Sequence, residues 1–417
     1  MKTLAQWLEF IERQHPKTIA LGLERVAAVF SRMQVEIKAP VITVGGTNGK
    51  GSTCAMLESM LRWGGYRTGL YTSPHLVQYN ERVRIAGVEA SDELLAASFE
   101  AVEAARAETP LTYFEYGTLG ALWVFAHEQV EARVLEVGLG GRLDAVNIVD
   151  TDCAVLTSVG IDHVDYLGPD RESIGREKAG IFRRGRPAVI AEPDPPQSVL
   201  AAAGEKLLIG RDFGYVDQQS QWSYWGPLSG TSGKRGGLAH PALRGVMQLR
   251  NASAAMCALD TLRERLPLGM QDIRRGLAEV ELPGRFQVLP GKPQIILDVA
   301  HNPQAAQVLA DNLASSGFAP ETIAVCGMLR DKDIEGVLKA MAPRITRWHL
   351  ASLEGPRAAS AEDLSRFVKG ECFASPAQAF AAALERAGEN DKIVVFGSFL
   401  TVGEALGWLK NNKTSKR

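Results

Sequence analysis

The sequence predicts an α/β chain. A P-loop ATPase domain on a mostly parallel sheet, with a small antiparallel excursion, is followed by a C-terminal Rossmann-like α/β domain. Three observations carry the prediction. Short apolar runs rich in β-branched residues alternate with stretches of helical spacing from Pro40 onward. A glycine-rich segment at 45–53 joins the first of these runs to its helix. The alternation breaks at 282–294 (LPGRFQVLPGKPQ), among three prolines and two glycines, and then restarts.

The elements follow in order. MKTLAQWLEFIERQ carries Glu9 and Glu12 inside its apolar pattern, so it reads as an amphipathic helix and not as a signal peptide. PVITVG is a β-branched strand, and GSTCAMLESMLRWGG is a helix ending at Gly64 and Gly65. TGLYTS is the next strand, and SDELLAASFEAVEAARAE is a helix capped by Ser91. ARVLEVG, CAVLTSVG and PAVIAE are buried strands, which together imply a parallel sheet covered by helices. At 214–237 alternating aromatics and clustered Gly and Ser predict the antiparallel excursion. Beyond the break, QIILDVA, a helix from Pro303, TIAVCGML, RWHLASL and KIVVFGS repeat the strand and helix alternation. The expected limits are 1–284, a linker at 285–294, and 295–417; the basic end KNNKTSKR reads as a frayed tail.

Bulk composition narrows the function classes. The chain has 417 residues, enough for two cores. Lys and Arg number 46 against 48 Asp and Glu, so charge gives no support for nucleic-acid or membrane binding. Five cysteines, widely spaced and without a CxxC pair, argue for reduced thiols in a cytoplasmic protein. No uninterrupted apolar run approaches the ~20 residues of a membrane span. A monomer is expected.

The segment GGTNGKGST departs from the common phosphate-loop spelling. Val44 stands where the first glycine belongs, and Gly51 follows Lys50 where a hydroxyl is usual. The physical requirements are nevertheless met. Glycines let backbone N–H groups face an anion at a helix start, Lys50 supplies a point charge, and Ser52 supplies the displaced hydroxyl. The segment therefore predicts a nucleotide site. Glu136 lies in the apolar run VLEVGLGG, where an ionised carboxylate is costly unless paired or on a metal. An acid in a strand beside such a loop is the usual place for a magnesium ligand. GLGGRLD is not a dinucleotide fingerprint, because Leu143 replaces the third glycine.

The spelling GTNGKGS resembles the loop of the Mur ligase superfamily, and within it the folylpolyglutamate synthases. LGLERV, TSPHLVQYNERVRI, TYFEYGTLGAL, LEVGLGGRLDAVN, DHVDYLG, ESIGREKAGIFR, LPGRF and DVAHNPQA extend the resemblance across almost the whole chain in order. The likeness is greatest to the bacterial bifunctional members, which make both dihydrofolate and folylpolyglutamates. The resemblance implies an ATP-dependent ligase that adds L-glutamate to dihydropteroate and to reduced folates through an acyl phosphate. It makes the first domain the Mur-type ATP-binding domain and the second the glutamate-ligase domain, with a cleft closing about the linker.

Site residues follow by the same resemblance. Thr47, Asn48, Gly49, Lys50, Gly51, Ser52, Asn251, Arg285 and Asp298 would contact ATP. Ser73 and Glu136 would hold one Mg2+ and His163 a second, and a monovalent cation is a further candidate. Lys178 would be carbamoylated, which turns a cation beside the metals into an acceptor. His301 would face the incoming glutamate or the acyl phosphate. Pterin contacts would map to Ala20 and Leu21, to Thr112, Tyr113, Phe114 and Glu115, and to Leu143, Asp144 and Ala145. Two positions depart from the family pattern: bifunctional relatives carry Asp where this chain has Ala20, and some carry His at Leu400. Alternatives are a polyglutamylating enzyme without the first activity, or another Mur-type amino-acid ligase. A guanine-nucleotide switch lacks an NKxD string, and a simple kinase would not need the second domain.

Overall fold

A computed structural model describes residues 2–15, 19–227 and 234–414. The chain divides into two units. The first takes residues up to Pro74, then Tyr79–Ala242 and Leu249–Val280; the second takes His75–Gln78, Leu243–Gln248 and the chain from Glu281 onward.

The first unit is built on an eight-stranded sheet. Its strands are β1 (Val41–Gly45), β2 (Thr68–Tyr71), β3 (Val83–Ile85), β4 (Val88–Glu89), β5 (Ala132–Glu136), β6 (Cys153–Leu156), β7 (Pro187–Ile190) and β8 (Glu205–Leu208). Their order is β4-β3-β2-β5-β1-β6-β7-β8, parallel except for β3 and β4. β1 pairs with β5 on one side and β6 on the other, so the glycine-rich loop leaves the middle of the sheet at its C-terminal edge. In open α/β sheets ligands gather there. All five residues of β1 are buried, as a central parallel strand requires.

Helices form where the sequence signals them. Lys50–Trp63 follows the loop, and Ser91 caps Asp92–Arg106 by accepting from the Leu94 N–H. A helix at Tyr113–His127, not anticipated as an element, starts with a reciprocal cap between Thr112 and Glu115. The excursion is a three-stranded antiparallel sheet of β9 (Gly214–Asp217), β10 (Trp222–Trp225) and β11 (Arg235–Leu238), ordered β11-β10-β9. Part of the predicted stretch, 228–233, lies outside the described residues. Tyr224 donates to Asp260 Oδ2 at 2.8 Å, and Arg235 pairs with Asp260 Oδ1 at 2.7 Å; these contacts fasten the small sheet to helix Gln248–Thr261.

The second unit has a six-stranded sheet of β12 (Gln287–Leu289), β13 (Gln294–Leu297), β14 (Thr322–Cys326), β15 (Arg347–Ala351), β16 (Glu371–Phe373) and β17 (Lys392–Phe396). The order is β12-β13-β17-β14-β15-β16, with only β12 antiparallel. Two expectations are corrected. The predicted linker contains β12, because Pro283 and Pro290 flank this edge strand instead of interrupting it. The predicted frayed tail is helical through Thr414, while 415–417 lies outside the described residues. The helix from Pro303 begins as expected, with Asn302 accepting from the Ala305 N–H. All five cysteines are free, and only Cys372 is exposed.

Candidate active site

The loop after β1 is pinned by the strand beside it. Thr47 N–H donates to Ser158 O at 2.9 Å, and the Thr47 hydroxyl donates to Gly160 O and accepts from Gly160 N–H. Ser158 Oγ accepts from Asn48 N–H at 2.9 Å and donates to Asn48 O at 3.0 Å. Thr157 Oγ1 reaches Asn48 O at 2.7 Å and Gly45 O at 3.2 Å. Thr157 and Ser158 thus brace the loop from β6, a role that sequence reasoning did not assign. Their signal was slight: two hydroxyls at the C-terminal end of a strand.

Two loop glycines are obligatory. Gly46 has φ +147° and Gly49 has φ +91°. A Cβ on Gly46 would lie 1.9 Å from Thr157 Oγ1, and one on Gly49 would lie 2.8 Å from Asn251 Oδ1. Asn251 therefore abuts the loop. Lys50 folds its ammonium back onto Gly46 O at 3.0 Å and Thr47 O at 3.3 Å. Thr53 donates its hydroxyl to Gly49 O at 3.0 Å. Ser52, the displaced hydroxyl of the sequence reading, is buried in the first helical turn.

Glu136 ends β5 and is buried. Its Oε2 accepts from the Ser73 N–H at 3.2 Å, so the two predicted ligands of the first metal are neighbours. A buried carboxylate beside a hydroxyl is a hard oxygen donor set, which fits Mg2+. His163 has φ +52°, and its backbone N–H donates to Asp162 Oδ1 at 2.9 Å. Lys178 is buried on helix Arg171–Ala179. Burial first, then the positive charge of Lys50, pushes its amine down to about 7, against the opposing pull of Asp162 and Asp144. Gly141 lets the loop after β5 close on this helix, since a Cβ there would meet Glu177 O and Lys178 O at 2.8 Å. The glycines of GLGGRLD thus serve packing.

The three segments predicted for the pterin meet one another. Gly22 N–H donates to Leu143 O at 3.3 Å. Arg25 Nη2 donates to Ala20 O at 2.9 Å and to Glu115 Oε1 at 2.8 Å. The Phe114 ring lies over Gly138, where a Cβ would approach within 2.6 Å. Asp144 accepts from Leu139 and Val146 N–H groups, and burial pushes its carboxyl up to about 6 despite them. Tyr113 packs edge-on against Tyr79, their centroids 5.9 Å apart. Leu21 and Ala145 flank these contacts in sequence.

In the second unit, Asp298 follows β13 and holds two backbone donors, Phe286 N–H and Ala300 N–H, each at 2.8 Å. Burial raises its carboxyl above the ordinary value, opposed by those bonds and by Arg285. Arg285 lies over the Phe399 ring at 5.0 Å. His301 Nδ1 contacts Val299 O at 2.8 Å. A carbonyl only accepts, so Nδ1 carries the hydrogen and a neutral ring has its acceptor at Nε2. Leu400 is about half exposed in the first turn of the helix at Phe399–Thr414.

Comparisons with known proteins agree with this geometry. The Mur ligase middle domain matches residues 44–259, and the Mur ligase glutamate ligase domain matches residues 284–399. The dihydrofolate synthase/folylpolyglutamate synthase of Escherichia coli (strain K12) is 47% identical over 409 residues, 97% of this chain and 94% of that one. The structure of E. coli FolC in complex with DHPP and ADP superposes with a TM-score of 0.94 at 44% identity, over 99% of each chain. A bifunctional folylpolyglutamate synthase/dihydrofolate synthase with Mn, AMPPNP and L-glutamate bound gives a TM-score of 0.91 at 44% identity, over 98% of each chain.

Proposed function

The chain belongs to the dihydrofolate synthase/folylpolyglutamate synthase family of Mur ligases, and on that premise we propose that it joins L-glutamate to dihydropteroate and to reduced folates at the expense of ATP. The observation that carries the reading is the braced loop of the first unit, with Lys50 on it and the Ser73–Glu136 pair at the end of the strand beside it.

A carboxylate is a poor electrophile, so it must first be activated. A substrate carboxylate oxygen attacks the γ-phosphorus, the bond to the ADP oxygen breaks, and an acyl phosphate forms. Such a transfer is governed by positioning and charge. Lys50 exchanges its loop carbonyls for phosphate oxygens, and the N–H groups of 49–52, at the start of the helix, line the anion. Asn251 fixes the nucleotide beside Gly49, and Arg285 and Asp298 are further proposed nucleotide contacts. Ser73 and Glu136 would hold one Mg2+ and His163 a second, with carbamoylated Lys178 an acceptor near them. These ions neutralise phosphate charge when bound. The low basicity of Lys178 suits its modification: the amine lone pair bonds the carbon of CO2 and a proton leaves. His301 has its Nδ1 hydrogen committed to Val299 O, and its Nε2 would face the incoming glutamate or the acyl phosphate. The amine nitrogen of glutamate attacks the acyl carbon, the carbon–oxygen bond to phosphate breaks, and phosphate departs with the amine proton lost to base.

Pterin-bearing substrates would lie on Ala20 and Leu21, Thr112–Glu115 and Leu143–Ala145. We further read the chain as a cytoplasmic monomer, which light scattering of the purified protein tests. The mechanism is tested with substrate labelled by oxygen-18 in the reacting carboxylate. One label per turnover in released phosphate is expected, and unlabelled phosphate refutes the acyl phosphate.

A further inference from the structure

We propose that Arg25 is a positioning residue for the pterin-bearing substrates, locking the 20–22 and 112–115 segments into one arrangement; this rests on the pterin reading of those segments given above. Arg25 lies in the first turn of helix Glu24–Met33, directly after the 20–22 segment. One amino group of its guanidinium has two hydrogens, and two acceptors stand in reach: Ala20 O at 2.9 Å and Glu115 Oε1 at 2.8 Å. Ninety residues separate Arg25 from Glu115, so the contact belongs to the tertiary fold.

The Glu115 carboxylate is buried, and its other oxygen accepts from the Thr112 N–H at 2.7 Å. Arg25 therefore balances a charge that water cannot reach, at the first turn of the helix that carries Tyr113 and Phe114. Its Nε is buried without an acceptor among the described residues, and there the two Nη2 contacts orient the group. The backbone bond from Gly22 to Leu143 O, at 3.3 Å, adds the third segment through a longer link. The position-20 side chain is a methyl group here, so this segment contributes shape through its backbone. Arg25 holds that backbone.

The consequence is selective. Loss of Arg25 releases the 20–22 segment and leaves Glu115 unbalanced, while the loop at 45–53 and the metal pair keep all their contacts. The test uses the full chain with Arg25→Gln and Arg25→Lys, measuring phosphate release against each substrate in turn, together with melting temperature. Leu143→Arg, which fills the same segment set, serves as the control for the pterin reading itself. Arg25→Gln is expected to raise KM for dihydropteroate and for tetrahydrofolate roughly tenfold or more, the size of one lost charge-assisted contact. KM for ATP and glutamate should not move, and kcat should stay within about threefold, the pattern of lost uniform binding. Arg25→Lys should fall between the two, because one ammonium keeps the charge but not the fork.

A variant whose melting temperature and kcat fall while the pterin KM values stay put overturns the proposal, because that is a structural role only. If Arg25→Gln does not fold, Arg25→Lys decides by whether its pterin KM values rise. If Leu143→Arg raises those KM values and neither Arg25 variant does, the Arg25 inference fails alone. If Leu143→Arg also leaves them unmoved, the pterin reading of the segments fails with it.

Discussion

Replacing Lys178 by Met should make the metal-free, carbonate-free protein more stable at acid pH while abolishing ligase activity. Burial takes the amine from an ordinary 10.5 to about 7. At about 1.4 kcal/mol per tenfold, that displacement corresponds to roughly 5 kcal/mol of penalty on the ammonium. The sign follows from proton counts. Below pH 7 the lysine is protonated in both states, and the folded chain bears the whole penalty. Between about pH 7 and the unfolded lysine range near 10.4, only the unfolded chain binds the proton, so stability rises with pH. Above that range the penalty is gone. Methionine is unbranched and of similar length, so it can occupy the same space without a charge. The pull of Asp144 and Asp162 is already contained in the value of about 7, and what the substitution forfeits is packing, because methionine only approximates the shape of lysine. The net stabilisation expected at pH 6 is therefore about 1–3 kcal/mol, shrinking towards zero by about pH 10. Urea unfolding at pH 6, 7.5 and 9, in degassed buffer with chelator, measures it. A Met variant less stable than the parent at pH 6, or a difference that ignores pH, refutes the argument. Adding bicarbonate at constant Mg2+ should stabilise the parent and leave Lys178→Met unaffected, because only the parent can form the carbamate.

Gly46→Ala should abolish binding of an ATP analogue and cost several kcal/mol. Its Cβ would sit 1.9 Å from Thr157 Oγ1 at a positive φ, combining about 1–3 kcal/mol of overpacking with about 1–2 kcal/mol of backbone strain; calorimetry showing parental affinity contradicts this. Asp260→Ala should lower the urea midpoint by the equivalent of roughly 3–5 kcal/mol, because it strands Arg235 and Tyr224 around a buried vacancy; an unchanged midpoint would show that the network contributes nothing. Ala20→Asp should tighten dihydropteroate binding about tenfold, because a carboxylate pairs well with the donor edge of a pterin; unchanged or weaker affinity, read by equilibrium titration, sinks the idea.

The central plan was legible because its signals are local. β1, the glycine loop and the helix behind it are written in the twenty-three consecutive residues 41–63, and the caps at Ser91 and Asn302 stand where their helices begin. The Thr112–Glu115 cap carries the T-x-x-E signature and could have announced the Tyr113–His127 helix. Other features have no local trace. β12 exists because Gln287 and Leu289 find partners across β13, while the surrounding prolines argue for a coil. His75–Gln78 belongs to the second unit through contacts with residues more than two hundred positions away, which no periodicity encodes. Thr157 and Ser158 brace the phosphate loop only because β6 lies beside β1. Arg25 shows the same limit, since its partner Glu115 is ninety residues distant.

The account stands most directly on phosphate release from Mg-ATP in two mixtures containing L-glutamate, one with dihydropteroate and the other with tetrahydrofolate. Glutamate-dependent release is predicted in both. Release in neither, or release that ignores glutamate, contradicts the ligase assignment, and release with tetrahydrofolate alone contradicts its dihydropteroate half.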